Sequence, residues 1–179
     1  MRILRTIALG LAVAVGALAL FIATRPAEFK IERSATIAAP PDAVFALVND
    51  FHQWDAWSPY AHLDPSMKTS YTGATSGVGA AYGWSGDDKV GEGKMTILDS
   101  TPGEKIAIEL EFMRPMAAKN LATFKFVPIG GSTQVTWAME GRNGFMGKAF
   151  GLLVNMDQLV GSDFAKGLAA LKALAEAAR

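Results

Sequence analysis

The spacing of apolar and polar residues changes several times along the chain. From Thr6 to Thr24 there is no charged residue, and apolar side chains fill the run with little periodicity. In EFKIERSATIAAP the pattern alternates. Phe29, Ile31, Ala35 and Ile37 share one face, and Lys30, Glu32, Ser34 and Thr36 the other, which predicts a strand with one wet side. Arg33 falls on the apolar face, so it needs a buried acidic partner or a place at an open end of the core. Pro40 and Pro41 end the strand, and Pro41 suits a first helical turn. Val44, Phe45, Leu47 and Val48 then make a short helical stripe. FHQWDAWSP, residues 51–59, reads as a second short helix stopped by Pro59.

Period two returns at Met67. MKTSYTG, AAYGWSG, GKMTILDS, KIAIELEF, ATFKFVP and TQVTWAMEG are six strand candidates. Short connections containing Gly or Asp separate them, together with a longer one from Met113 to Lys119. Such turns predict antiparallel hairpins. From Phe145 to Ala178 the spacing is helical again. Ala149, Leu153, Met156, Val160, Phe164, Leu168, Leu171 and Ala175 form a stripe, with Asp157, Asp163, Lys166 and Lys172 largely off it. A long helix with one apolar stripe and a sheet with one wet face bury their surfaces against each other. The expected class is therefore α+β.

The chain divides into residues 1–26 and a domain over 27–179. As a helix, Ile3 to Ala23 would rise roughly 30 Å, about one hydrocarbon core. A cleaved signal peptide is the alternative, since Arg2 and Arg5 supply the basic start that either reading needs. Apolar residues continue to Ala23, with Arg25 and Pro26 directly after, which favours an uncleaved anchor through residues 3–23. The expected location is a single-pass protein of the inner, cytoplasmic membrane with its domain on the exported side. Cleavage would leave a secreted or periplasmic domain.

Composition narrows the chemistry. With Lys+Arg 17 against Asp+Glu 17, nothing points to nucleic acid. The absence of cysteine excludes disulfides, thiolate nucleophiles and thiolate metal sites. His52 and His62 do not have a metal-ligand spacing, and no dinucleotide or phosphate-loop motif is present. No cofactor and no metal are expected, and no protein partner can be named.

The element order, together with FxxWxxWSP at Phe51–Pro59, YGWSG at Tyr82–Gly86, GEGKMTI at Gly91–Ile97 and GSTQVTWAMEG at Gly131–Gly141, resembles the polyketide cyclase/dehydrase branch of the START-like, or Bet v 1-like (SRPBCC), superfamily. The resemblance covers nearly everything after residue 26. It implies a helix-grip fold, with a seven-stranded antiparallel sheet around the last helix and an apolar cavity between them. Carried onto this chain, the cavity would be lined by Trp84, Phe112, Phe124, Trp137 and Met139 from the sheet. Met146, Phe150 and Met156 would approach from the helix, with Arg33 and Arg114 as a cationic end. The ligand would be a small hydrophobic or amphipathic molecule or a lipid. The same residues would equally fill a solid core. In a cyclase or dehydratase, His52 would be the base, oriented by Asp55 three residues on, and Arg114 would anchor an oxyanion or carboxylate. Otherwise His52 is a surface residue of its short helix. A filled core would leave a protein that works through its surface.

Overall fold

The computed structural model describes residues 2–178. Met1 and Arg179, the outer ends of the two segments anticipated above, lie outside the described residues. The apolar front forms helix α1 (Arg2–Thr24). Strand β1 (Glu28–Ile37) leads into α2 (Pro41–Asn49) and a 3-10 segment, Phe51–Ala56. Strands β2 (Lys68–Gly73), β3 (Ala80–Ser85), β4 (Glu92–Thr101), β5 (Lys105–Arg114), β6 (Ala118–Ile129) and β7 (Ser132–Arg142) follow. Helices α3 (Phe145–Phe150) and α4 (Met156–Ala177) complete the chain. One antiparallel sheet holds all seven strands in the order β1-β7-β6-β5-β4-β3-β2. α4 packs on β1 and β7. This is the helix-grip α+β fold.

Register explains which side chains are inside. Ile31 lies opposite Met139, Arg33 opposite Trp137 and Ala35 opposite Val135. Trp137 is in turn opposite Phe124, and Phe126 opposite Val135. With a side-chain period of two, these residues share the face turned to α4. Ile37, Ile106, Ile108, Phe124, Val135, Leu168 and Leu171 are almost wholly buried. Each such side chain contributes about 1.5–3 kcal/mol on leaving water. Thr133 is buried on the same face, where its hydroxyl donates to the Ala39 carbonyl at 2.7 Å. That bond ties β7 to the link between β1 and α2.

Three expectations need correction. The C-terminal helical run is two helices. Gly151 ends α3, and Asn155 caps α4 by accepting from the Gln158 N–H at 3.1 Å. The buried stripe of α4 accordingly starts at Gly161 and continues through Phe164, Gly167, Leu168, Leu171 and Ala175. Leu153 is 85% exposed, and Met156 stays at the surface. The connection Met113–Lys119 is shorter than its sequence suggests, because β5 runs to Arg114 and β6 starts at Ala118. Residues 51–56 are 3-10 rather than α-helical.

These placements predict a steep contrast in stability. Phe164→Ala removes a ring that is 3% exposed and stacked at 4.1 Å on Trp137. It should cost about 3–5 kcal/mol. Leu153→Ala should stay within about 0.5 kcal/mol. Urea unfolding of the 27–179 fragment measures both, and similar losses would contradict the placement of the stripe.

Candidate functional site: the open end of the grip

The space expected between sheet and helix is filled for half its length. Trp54 and Trp57 project from the 3-10 segment onto the sheet. Their indole N–H groups donate to the carbonyls of Val48 at 2.9 Å and Leu47 at 3.1 Å, in the last turn of α2. Both polar edges are therefore satisfied, and the rings enter the core without leaving an unpaired donor. Trp54 meets Phe124 edge-on at 5.8 Å, and Trp57 meets Trp137 edge-on at 5.8 Å. Phe124 and Trp137 stack at 4.9 Å, and Phe164 of α4 covers Trp137 from above. At this level the interior is solid. Gly167 permits the closure, since a Cβ there would lie 2.8 Å from the Trp137 ring and 2.9 Å from Pro59.

Burial fades toward the other end, where β1 begins, β7 ends and β5 turns into β6. Along the inner face of β5, Ile106 and Ile108 are fully buried, whereas Leu110 and Phe112 are only half-buried. Met95 and Trp84 on the neighbouring strands are half-buried as well. Trp84 meets Phe112 edge-on at 5.8 Å and lies directly over Gly93, where any side chain would overlap its ring. Met139 is 8% exposed and borders this region from β7. Beyond it the helices do not seal the sheet. Phe145, Met146, Phe150, Leu152 and Leu153 are all exposed. The result is a grip that is packed at one end and open at the other.

Of the residues predicted to line a cavity, Phe124 and Trp137 thus belong to the packed core. Trp84, Phe112 and Met139 border the open half. Met146, Phe150 and Met156 sit on the exposed α3–α4 side and do not close onto Trp137 and Met139. Two surface depressions, of about 430 and 470 Å³, lie elsewhere. One is on the outer face of β2–β4 beside Lys68, Ser70 and Lys94, and the other is between α2 and Ser76.

Both arginines are engaged. The Arg33 guanidinium clamps Asp157 at the first turn of α4, with Nη1–Oδ1 at 3.1 Å and Nη2–Oδ2 at 3.0 Å. It also donates to the Asp157 carbonyl at 2.9 Å. So Arg33 has both an acidic partner and a place at the open end of the core. The hydrogen bond from Arg33 holds the Asp157 carboxyl below its usual range, against the opposing effect of burial. Gly161 makes room for the clamp, because a Cβ there would overlap the guanidinium. Arg114 pairs with Glu92 at 2.9 Å and reaches Ser85 and Gly86 at 3.4 Å, at the exposed mouth of the β3–β4 turn.

His52 does not pair with Asp55. Its Nδ1 lies 2.7 Å from Oδ1 of Asp50, the N-cap of the 3-10 segment, and the same oxygen accepts from the His52 backbone N–H at 2.9 Å. Burial of Asp50 opposes its ionisation, but these bonds outweigh it and hold the carboxyl below its usual range. The His52 ring stacks on Tyr71 of the edge strand β2 at 4.1 Å, and 47% of its side chain is exposed. Asp55 instead receives His62, whose Nε2 is 3.1 Å from its carbonyl. Tyr82, beside Tyr71, is pushed up to about 12 by burial, with the charges of Tyr71 and Asp55 adding, and so stays protonated at neutral pH.

Sequence reading missed Asn120. It is in phase with Ala122, Phe124 and Phe126, so its amide faces the open half, 3.9 Å from the Met139 sulfur. The alternation in ATFKFVP predicts a strand from Ala122, and β6 begins four residues earlier, at Ala118.

The chain matches the family described as polyketide cyclase / dehydrase and lipid transport over residues 28–176. Solved structures share the fold at low identity. The di-domain ARO/CYC StfQ from the steffimycin biosynthetic pathway is 13% identical with a TM-score of 0.64, covering 84% of this chain and 51% of that one. An uncharacterised protein from Rhizobium leguminosarum is 14% identical with a TM-score of 0.61, covering 85% and 97%. The Aha1 dimer from Colwellia psychrerythraea is 12% identical with a TM-score of 0.59, covering 83% and 96%. No curated protein is a significant match.

The clamp yields two predictions. A carboxyl whose folded pKa lies below its unfolded value, about 3.9 for Asp, stabilises the fold above that value and ceases to do so as pH falls through the folded pKa. Asp157→Asn should therefore unfold earlier in urea at neutral pH, with the difference from the native chain shrinking below about pH 4. Gly161→Ala displaces the guanidinium, so Asp157→Asn should cost less in that background than alone. A double-mutant cycle reads this, and additive losses would sink the coupling.

Proposed function

The chain belongs to the polyketide cyclase/dehydrase and lipid transport family, and we propose that it is a membrane-tethered binding module rather than a catalyst. Its ligand is a small hydrophobic or amphipathic molecule, held in the open half of the grip beside Trp84, Leu110, Phe112, Asn120 and Met139. The observation that carries this reading is the abrupt end of the packed core. Buried side chains fill the interior as far as Ile31, Ile108, Ala122 and Met139, and beyond them the apolar face of the sheet is left half-covered at Phe29, Met95, Leu110 and Phe112. An apolar surface of that kind, with one inward amide to orient a polar group, suits an elongated molecule with a single polar function.

Helix α1 supports the tether. Ile3–Thr24 is 22 residues long; its most apolar 18-residue stretch has a mean hydropathy of 2.5, and only 6% of that stretch is buried by the rest of the chain. We place residues 27–179 on the exported side as one domain.

The cyclase or dehydratase reading has less support. His52 is engaged by Asp50 and Tyr71 at the β2 edge, and Arg114 is engaged by Glu92.

The test is to purify the full chain from membranes and identify co-purifying small molecules by mass spectrometry of an organic extract. An amphipathic compound should be recovered at near-stoichiometric amounts. Phe112→Asp should lose it. Val127→Asp, on the outer face of β6 and 50% exposed, should retain it. A ligand-free native chain, or equal recovery from both variants, would overturn the proposal.

A further inference from the structure

We propose that the end of the domain next to α1 is itself a membrane-inserting surface, in which α3, the turn after it and the tip of the β5–β6 hairpin dip into the adjoining leaflet. This rests on α1 crossing a bilayer, and it does not require the groove to hold a ligand.

The last turn of α1 fixes the height of α3. Ile3–Thr24, at about 1.5 Å per residue, rises roughly 33 Å, close to the ~30 Å of a hydrocarbon core. Its C-terminal end therefore lies at the membrane–water boundary. α3 is held against that end. Lys148 donates to the Ala23 carbonyl at 3.0 Å, and the Asn143 N–H donates to the Ala27 carbonyl at 2.7 Å. Ile22 is 7% exposed in a helix whose apolar side chains are otherwise largely bare. At that same height α3 and the following turn present Phe145, Met146, Phe150 and Leu153, which are 50%, 65%, 47% and 85% exposed. A surface carrying these side chains at the level of the headgroups has a lipid leaflet as its nearest apolar partner.

Register brings in a second element. β1 starts, β7 ends and β5 turns into β6 at one end of the sheet, with Phe29 opposite Gly141 and Gly141 opposite Asn120. The hairpin tip carrying Met116, 53% exposed, is thus at the α1 end, displaced sideways from β1 by two to three strand spacings, or about 12 Å. Arg25 directly follows α1, Arg142 ends β7 just before α3, and Lys148 lies in α3; cationic side chains sit well at the level of lipid phosphates. An interfacial element of this type buries its apolar face about 5–10 Å into the boundary.

The chain has no cysteine, so single reporters can be placed without background. Full-length L153C, M116C and V127C, each labelled with an environment-sensitive dye, would be reconstituted into phosphatidylethanolamine/phosphatidylglycerol vesicles containing brominated lipid. Strong quenching is expected at positions 153 and 116, and none at 127. Adding Phe150→Asp to M116C should reduce the quenching at 116 while α1 stays resistant to carbonate extraction. Equal quenching at all three positions, no quenching at 153 or 116, or quenching at 116 unmoved by Phe150→Asp overturns the proposal. Carbonate extraction reports on the anchor and ligand recovery on the groove, so failure of either is separable from failure of this surface.

Discussion

Trp137 is the point at which every layer of the domain meets. Its ring is sandwiched between Phe124 of the sheet and Phe164 of α4, and Trp54 and Trp57 meet it from the side. Gly167 lets α4 come close enough for that sandwich to form. Stacked and edge-on aromatic pairs each contribute about 0.5–1.5 kcal/mol beyond the area they bury. Their larger effect here is positional. Five rings from four separate elements can pack this way only if α2, the 3-10 segment, the sheet and α4 are already in register with one another. The solid half of the grip is thus a consequence of one tryptophan and the small residue facing it.

The open half is governed by a different kind of interaction. Arg33 occupies the inward position on β1 next to Trp137, where an apolar residue would have extended the core. Its guanidinium takes the first turn of α4 by Asp157, and Gly161 leaves space for it. Bidentate geometry makes this pair directional, which a hydrophobic contact would not be. α4 is therefore seated against the sheet by packing from Gly161 onward and by a polar latch before it.

Much of this was legible in the sequence, because the physics of alternation is local. Ile106, Ile108, Leu110 and Phe112, alternating through KIAIELEF, announced β5 and its inner face. What was lost had a common cause: a strong pattern hid a weaker local signal. Leu152 and Leu153 continued the apolar content of the C-terminal stretch across Gly151 and Asn155, whose capping chemistry in fact divides it into α3 and α4. The polar Asn120 hid the first turn of the β6 ladder. At His52, helical spacing pointed to Asp55, yet the N-cap Asp50 offered two hydrogen bonds two residues away. Arg33 was recognised as anomalous, but its partner came from 124 positions along the chain, beyond the reach of any local pattern.

Only Arg25, Pro26 and Ala27 separate α1 from β1. Three residues span at most about 10 Å even when fully extended, and here Lys148 binds Ala23 just before them and Asn143 binds Ala27, the last of them. With α1 in a bilayer, the domain hangs on a bracket and not on a leash. So anchored, it would have no radius through which to swing. Under the proposed binding function, exchange of a ligand would then take place at the membrane surface, with the donor or acceptor coming to the domain.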